Sequence, residues 1–525
     1  MTTDPNTLRQ LESTRQRRVT LDFSPFEAAL AVLEPARLEA LVLLLASAPM
    51  TDLREQIDAG ELTYAECVLG YVERIRRFDG PLQSILALNP EALHQAEARD
   101  RERQSGRVTG PLHGMAILLK DNIDTAPPMP TTAGAAVLMN TTASRDAFLV
   151  SRLTDAGAII LGKTNLSEWA FWMSSEGASG YSYVGGQTRN PHGKFDVGGS
   201  SSGSGAAVAA GFGAAAIGTE TSGSISSPTS ANALAGLKPS IGLVSRQGVV
   251  PIVDVLDTPG PMTRTVADTA VLLGALAAHD PSDPEAGHDA LRPLFGRDFL
   301  ADLNPDALKG VRVGILRYNL RAPGATNLIS AEIRGLISML AARSRVMKAA
   351  LERAGAVPVM LPLISLQPQG WDLVGVLNAG FRDQLNAYLA GRDNLPPYAR
   401  ALADIIAYND EDPAERAPYN QAMLLLSQAS TFDPAGYREL GLKMRAAADA
   451  YLTNLMAQSD VQMVGSIGAF ASMYYAAAGW PAVCVPVGRV KRTGQPFNAT
   501  LFGPYASESR LLAAGLALEQ AVAVV

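Results

Sequence analysis

Residues 198–211 read GGSSSGSGAAVAAG, and the fold turns on what this stretch is. Three glycines and four serines open it, and small apolar residues follow without a break. A flexible linker has such a composition, but this tract is short and runs directly into a segment of helical character. A phosphate-cradling nucleotide loop ends in Gly-Lys-Ser/Thr, and no lysine stands here. A nucleophile elbow fits GSSSG at 199–203, with Ser201 at its tip. That elbow needs an acid and then a histidine downstream. His279 and His288 are downstream, in the polar stretch AHDPSDPEAGHD that reads as a surface loop.

A second serine-bearing turn, GTETSGSIS at 218–226, offers a different chemistry. Upstream, HGMAILLKDNID at 113–124 places Lys120 at the end of an apolar run. A serine hydroxyl is a poor nucleophile until a base removes its proton. Lysine serves as that base only when neutral, and an apolar setting favours the neutral form. Small residues at 221–223 allow backbone N–H groups to converge on an oxyanion. Taken alone, Lys120 also reads as a surface lysine with a buried stem.

These segments together resemble the amidase signature hydrolases, which use a Ser–cis-Ser–Lys triad. GPLHGMAILLKDNIDT is similar to the lysine segment of that family, and GAIILGKTNLSEWA to its strand-and-turn element. GGSSSGSGAAVAAG, GTETSGSI and GLKPSIGLVSRQG resemble the signature, and DTPGPMTRTVADTA its continuation. AGWPAVCVPVG and ESRLLAAGLALEQ extend the likeness, so that it covers roughly residues 50 to 525. Within the family the chain looks closest to bacterial peptide amidases, through ALNPEAL, GGQTRNP and GLVSRQG. The resemblance implies Lys120 as general base, Ser200 as bridging serine after a cis Gly199–Ser200 peptide, and Ser224 as nucleophile. It implies an oxyanion hole from the N–H groups of Thr221, Ser222, Gly223 and Ser224. It places Ala170, Phe171 and Trp172 along the acyl side of the substrate, although large aromatics are equally at home in a core.

Two departures carry information. Ser222 stands where a glycine is common, which keeps the backbone donor. Ser226 stands where members that process glutamine on transfer RNA carry arginine, which argues against an amidotransferase subunit. The implied activity is hydrolysis of a carboxylic amide, a C-terminal peptide amide or similar extended amide, through an acyl-enzyme. An aryl amide, a cyclic amide or a carbamate would suit the same triad. A non-catalytic or amidotransferase-type complex subunit is the alternative of another class. No metal or organic cofactor is implied.

Composition sets the frame for this reading. The chain has 525 residues, 47% of them hydrophobic, which is ample for a large core. Net charge is −7, and no basic block of the nucleic-acid-binding kind occurs. Cys67 and Cys484 stand far apart and the five histidines lack HxxH or HExxH spacing. This predicts buried free thiols rather than a disulfide or a zinc site. The polar N-terminus lacks the apolar core of a secretory signal. Leu41–Ala48 is too short to span a bilayer, so a cytoplasmic protein without membrane partners is expected.

Alternating strand and helix patterns predict an α/β protein, a central mixed sheet with helices on both faces. Residues 1–80 read as an N-terminal helical wrap, and 81–525 as the catalytic domain. A helical elaboration at about 325–455 follows from long Ala, Leu and Arg runs. Gly60 separates two helices and Gly80 ends the second, while Asn89 caps the helix after ILAL.

Overall fold

The computed structural model describes residues 15–319, 331–365, 371–393 and 395–523. Its centre is an eleven-stranded mixed sheet. In chain order the strands are β1 (Ile85–Leu88), β2 (Ala116–Lys120), β3 (Ile159–Thr164), a separate hairpin of β4 (Tyr181–Ser182) and β5 (Gly186–Gln187), then β6 (Ala215–Glu220), β7 (Ala235–Lys238) and β8 (Thr258–Thr263). β9 (Arg312–Asn319), β10 (Val357–Ser365), β11 (Met463–Ile467), β12 (Ala482–Arg489) and β13 (Pro496–Phe502) complete the set. Spatial order is β1-β3-β2-β6-β8-β7-β12-β13-β11-β9-β10. β2 lies parallel to both β3 and β6, and β6 is antiparallel to β8. β2, β3 and β6 are buried throughout, as uninterrupted apolar runs such as AILL and AAI demand of strands covered on both faces.

Helices Ser24–Val32, Pro35–Leu44, Met50–Asp58 and Tyr64–Leu82 cover one side of the sheet. Gly60 separates the last two, with φ +75°. The helix does not end at Gly80: it continues through Pro81 to Leu82, and Gln83 closes it in the left-handed region. Asn89 is not the cap of the next helix, Ala92–Gln104. Its side chain instead accepts from Glu91 N–H in the turn leading in, and its amide donates to Ile160 O. Residues 1–14 of the expected wrap lie outside the described residues.

Beyond β9, helices 331–353, 373–390, 402–410, 422–428 and 434–459 form the long helical stretch. β10 runs through it as the last strand of the sheet, an element the Ala/Leu/Arg reading leaves out. Residues 325–330, 366–370 and 394 of that stretch lie outside the described residues. Its helices from 373 onward share an apolar cluster with Trp169, Trp172, Tyr474 and Trp480, whereas the helix 331–353 packs into the separate cluster under the N-terminal helices. Cys67 and Cys484 are both buried free thiols. No helix among the described residues is long and apolar enough to cross a membrane.

Candidate active site

Lys120 is the last residue of β2, and its side chain is fully buried. Its Nζ donates to Ser200 Oγ at 2.8 Å and to Thr219 Oγ1 at 2.7 Å. Loss of hydration pushes its pKa down to about 7, against the opposing pull of Asp257 and Glu220. Two other lysines are equally buried, and the comparison is informative. Lys163 meets Asp121, Ile123 O and Thr131 Oγ1, and Lys238 is held by the carbonyls of Pro239 and Trp480. Only Lys120 of the three has two hydroxyls as its closest partners, one of them on the Gly/Ser loop.

The serines of the loop divide by what they touch. Ser201 Oγ donates to Thr219 O at 3.1 Å and accepts Thr219 N–H at 3.2 Å, so it is spent on β6. Ser202 Oγ donates to Gly198 O, and Ser204 Oγ pairs with Thr164 Oγ1. Ser200 alone faces Lys120, after a cis Gly199–Ser200 peptide. The elbow reading with Ser201 at the tip therefore fails on geometry. A short helix, Ser202–Ala209, follows the loop, with small residues that let it lie close on the sheet.

The second turn leaves β6 directly. Glu220, its last strand residue, accepts through Oε2 from Ile225 N–H at 2.7 Å and Ser226 N–H at 2.9 Å. Ser226 Oγ also donates to Glu220 and pairs with Tyr475 OH at 2.6 Å. Thr221 Oγ1 donates to Asp257 Oδ1 at 2.6 Å. Between these anchors the N–H groups of Ser222, Gly223 and Ser224 have no protein acceptor among the described residues. Gly223 has φ +88°, a conformation that suits glycine. Ser201 N–H donates to Ser224 O, which ties the two turns together. No hydrogen bond joins Ser200 Oγ to Ser224 Oγ among the described residues.

A cleft of about 220 Å³ opens beside these turns. Gly199, Thr221, Ser222, Ser224 and Ser227 line it, together with Ala170, Phe171, Trp172, Ser179, Ile252 and Leu377. Ser200 and Lys120 lie behind it, out of solvent. The wall residues arise from an unusual turn: Trp169, Ala170 and Phe171 have φ of 52°, 55° and 77°. Non-glycine residues pay about 1–2 kcal/mol each for that region. Bonds from Trp169 N–H to Ala133 O and from Phe171 N–H to Ser167 O hold it. Phe171 is 36% exposed, whereas Trp172 is buried, donating from Nε1 to Ser427 Oγ at 3.0 Å and packing near Phe381. Trp172 is thus at once a wall of the cleft and part of a core.

Sequence reasoning missed four members of this arrangement. Thr219, Asn122, Glu220 and Asp257 bracket the lysine and the second turn, and Asn122 Nδ2 reaches Thr219 Oγ1 at 3.1 Å. Thr219 and Glu220 lie inside the quoted GTETSGSIS, so a signal for them was present.

The comparisons with known proteins point to one family. A family model described as Amidase matches residues 66–365. A probable amidase of Arabidopsis thaliana is 34% identical over 487 residues, 91% of this chain and 90% of that protein. The crystal structure of an amidase family protein from Bacillus anthracis is 32% identical, with a TM-score of 0.85 over 97% of this chain and 98% of that one. The X-ray structure of the peptide amidase from Stenotrophomonas maltophilia is 37% identical, with a TM-score of 0.79 over 91% and 97%. The α/β sheet, the buried lysine behind two serine turns and these likenesses lead to one conclusion: the chain belongs to the amidase signature family of amide-hydrolysing enzymes.

Proposed function

We propose that the enzyme hydrolyses a C-terminal peptide amide, or a similar extended amide, through an acyl-enzyme on Ser224. The observation that carries this reading is the 2.8 Å contact between a fully buried Lys120 and Ser200. Neutral Lys120 takes the proton of Ser200 as Ser200 takes that of Ser224. Ser224 Oγ then bonds to the carbonyl carbon, and the carbonyl oxygen becomes an oxyanion. The unpaired N–H groups of Ser222, Gly223 and Ser224, with that of Thr221, stabilise it. The C–N bond breaks as the proton returns along the relay to the leaving ammonia or amine. Water, deprotonated by the same relay, attacks the ester, releases the acid and restores Ser224.

The cleft supports an acyl part with apolar character. Phe171, Trp172, Ile252 and Leu377 offer it apolar surface, and no lining residue carries a charge. The likeness to the Stenotrophomonas peptide amidase supports the same substrate class. We place the enzyme in the cytoplasm, acting without a nucleic-acid or membrane partner. The test is turnover of a panel of peptide amides, aryl amides and carbamates, read by mass spectrometry. Release of ammonia from peptide amides with an acyl-Ser224 adduct is the expected result. Exclusive turnover of carbamates or aryl amides would replace the substrate assignment, and an adduct on another residue would replace the mechanism.

A further inference from the structure

We infer that Asp257 is a positioning residue of the reaction: its carboxylate fastens the oxyanion turn to a second stretch of the cleft lining. The inference rests on the Lys120–Ser200–Ser224 reading. Asp257 stands just before β8 and is almost fully buried. Oδ1 accepts from Thr221 Oγ1 at 2.6 Å, and Oδ2 accepts from the N–H groups of Ile252 at 2.7 Å and Val253 at 2.9 Å. Thr221 and Ile252 both line the cleft. One carboxylate therefore ties the residue that opens the oxyanion turn to a second stretch of the cleft lining. Glu220 holds the far end of the same turn through Ile225 and Ser226, so the three free N–H groups are suspended between two carboxylates.

Asp257 also acts on the base by charge. Lys120 feels two carboxylates, Asp257 before β8 and Glu220 on β6, and both favour its ammonium form. On the neighbouring β3 the buried Lys163 is engaged with Asp121. A group that only packs the turn would leave the titration of Lys120 alone. A charged one moves it, because removing a nearby negative charge lowers a lysine pKa by about one unit or more.

The experiment uses the full chain and whichever amide it turns over. Asp257→Asn is expected to lower kcat at least tenfold and to move the rising limb of the kcat/KM profile about one pH unit toward acid. Thr221→Val is expected to lower kcat comparably, with Thr221→Ser restoring most of it, because serine keeps the donor to Asp257. A folded Asp257→Asn enzyme with the wild-type limb overturns the inference, whatever its kcat. If Asp257→Asn does not fold, the threonine pair decides: wild-type kcat in Thr221→Val, or no rescue by Thr221→Ser, overturns it. Lys120→Ala separates the two readings. A limb that persists in residually active Lys120→Ala removes the lysine mechanism itself. A limb that vanishes there but stays put in Asp257→Asn removes only the role of Asp257.

Discussion

Lys120 Nζ sits between two hydroxyls, Ser200 Oγ at 2.8 Å and Thr219 Oγ1 at 2.7 Å, with no carboxylate in contact among the described residues. Ser200 offers it a transferable proton, and Thr219, supported by Asn122, keeps it aimed. A contacting carboxylate would have fixed the ammonium form. Hydroxyl partners do so only weakly, and burial then wins.

The pH profile is the direct consequence. With Lys120 lowered to about 7, its neutral form gains population as pH rises through that value. kcat/KM is expected to rise with pH, half-complete near 7 and flat well before the ordinary lysine range. A profile still rising at pH 10 would place the base elsewhere.

Ser224→Ala is expected to lower kcat by about 10⁴-fold or more while leaving the thermal melt unchanged, because its part-exposed hydroxyl contributes chemistry rather than packing. Ser201→Ala should behave the opposite way. Ser201 is bonded twice to Thr219, so its loss should destabilise the fold by about 1–3 kcal/mol with much smaller effect on turnover. Labelling with a fluorophosphonate checks both: the adduct should survive Ser201→Ala and vanish in Ser224→Ala.

Acyl preference is best read through Phe171 rather than Trp172. Trp172→Ala would empty a core site and confound the result, at about 3–5 kcal/mol of stability. Phe171→Ala touches a partly exposed ring. The ratio of kcat/KM for a bulky hydrophobic amide over a short aliphatic one is expected to shrink about tenfold, the factor equivalent to ~1.4 kcal/mol. An unchanged ratio would take Phe171 out of the acyl site.

Lys120→Met is expected to be inactive yet more heat-resistant than the parent. The folded lysine titrates near 7 and the unfolded one near its ordinary 10.5. Its contribution to stability is therefore greatest above 10.5 and falls as pH drops toward 7. Methionine removes that penalty. Two hydrogen bonds are lost, each worth about 1 kcal/mol net, against about 1.4 kcal/mol for each pKa unit relieved. The melting-temperature gain should grow as pH falls from 10 to 7, and a gain independent of pH would contradict the cause.

The parts of the site that lie within one local stretch were legible in the sequence. Lys120 ends an apolar run that becomes β2, and the two Gly/Ser segments become two turns beside it. Alternation between strand and helix also gave the mixed sheet. What stayed hidden was side-chain facing and long-range pairing. Nothing in SSSGS says that Ser201 turns inward to Thr219 while Ser200 turns toward Lys120. The Thr221–Asp257 bond spans 36 residues, and a single sequence carries no trace of it. β10 was missed because its exposed and prolyl positions blur the period of two, as an edge strand permits. The reach of the helix past Gly80 was missed because tertiary packing outweighs the weak helix preference of glycine and proline.

The chemistry and the cleft wall stand on different foundations. Lys120 and Thr219 belong to β2 and β6, adjacent interior strands paired at Leu119 and Ile217. Leu377 and the Ser427 partner of Trp172 belong to helices of the other apolar cluster, beyond β10 in the chain. Heat should loosen the second before the first, since separate cores open at separate free energies. Warmed gradually, the enzyme is expected to lose its taste for bulky amides at temperatures where it still turns over a small one, so that selectivity fades before speed.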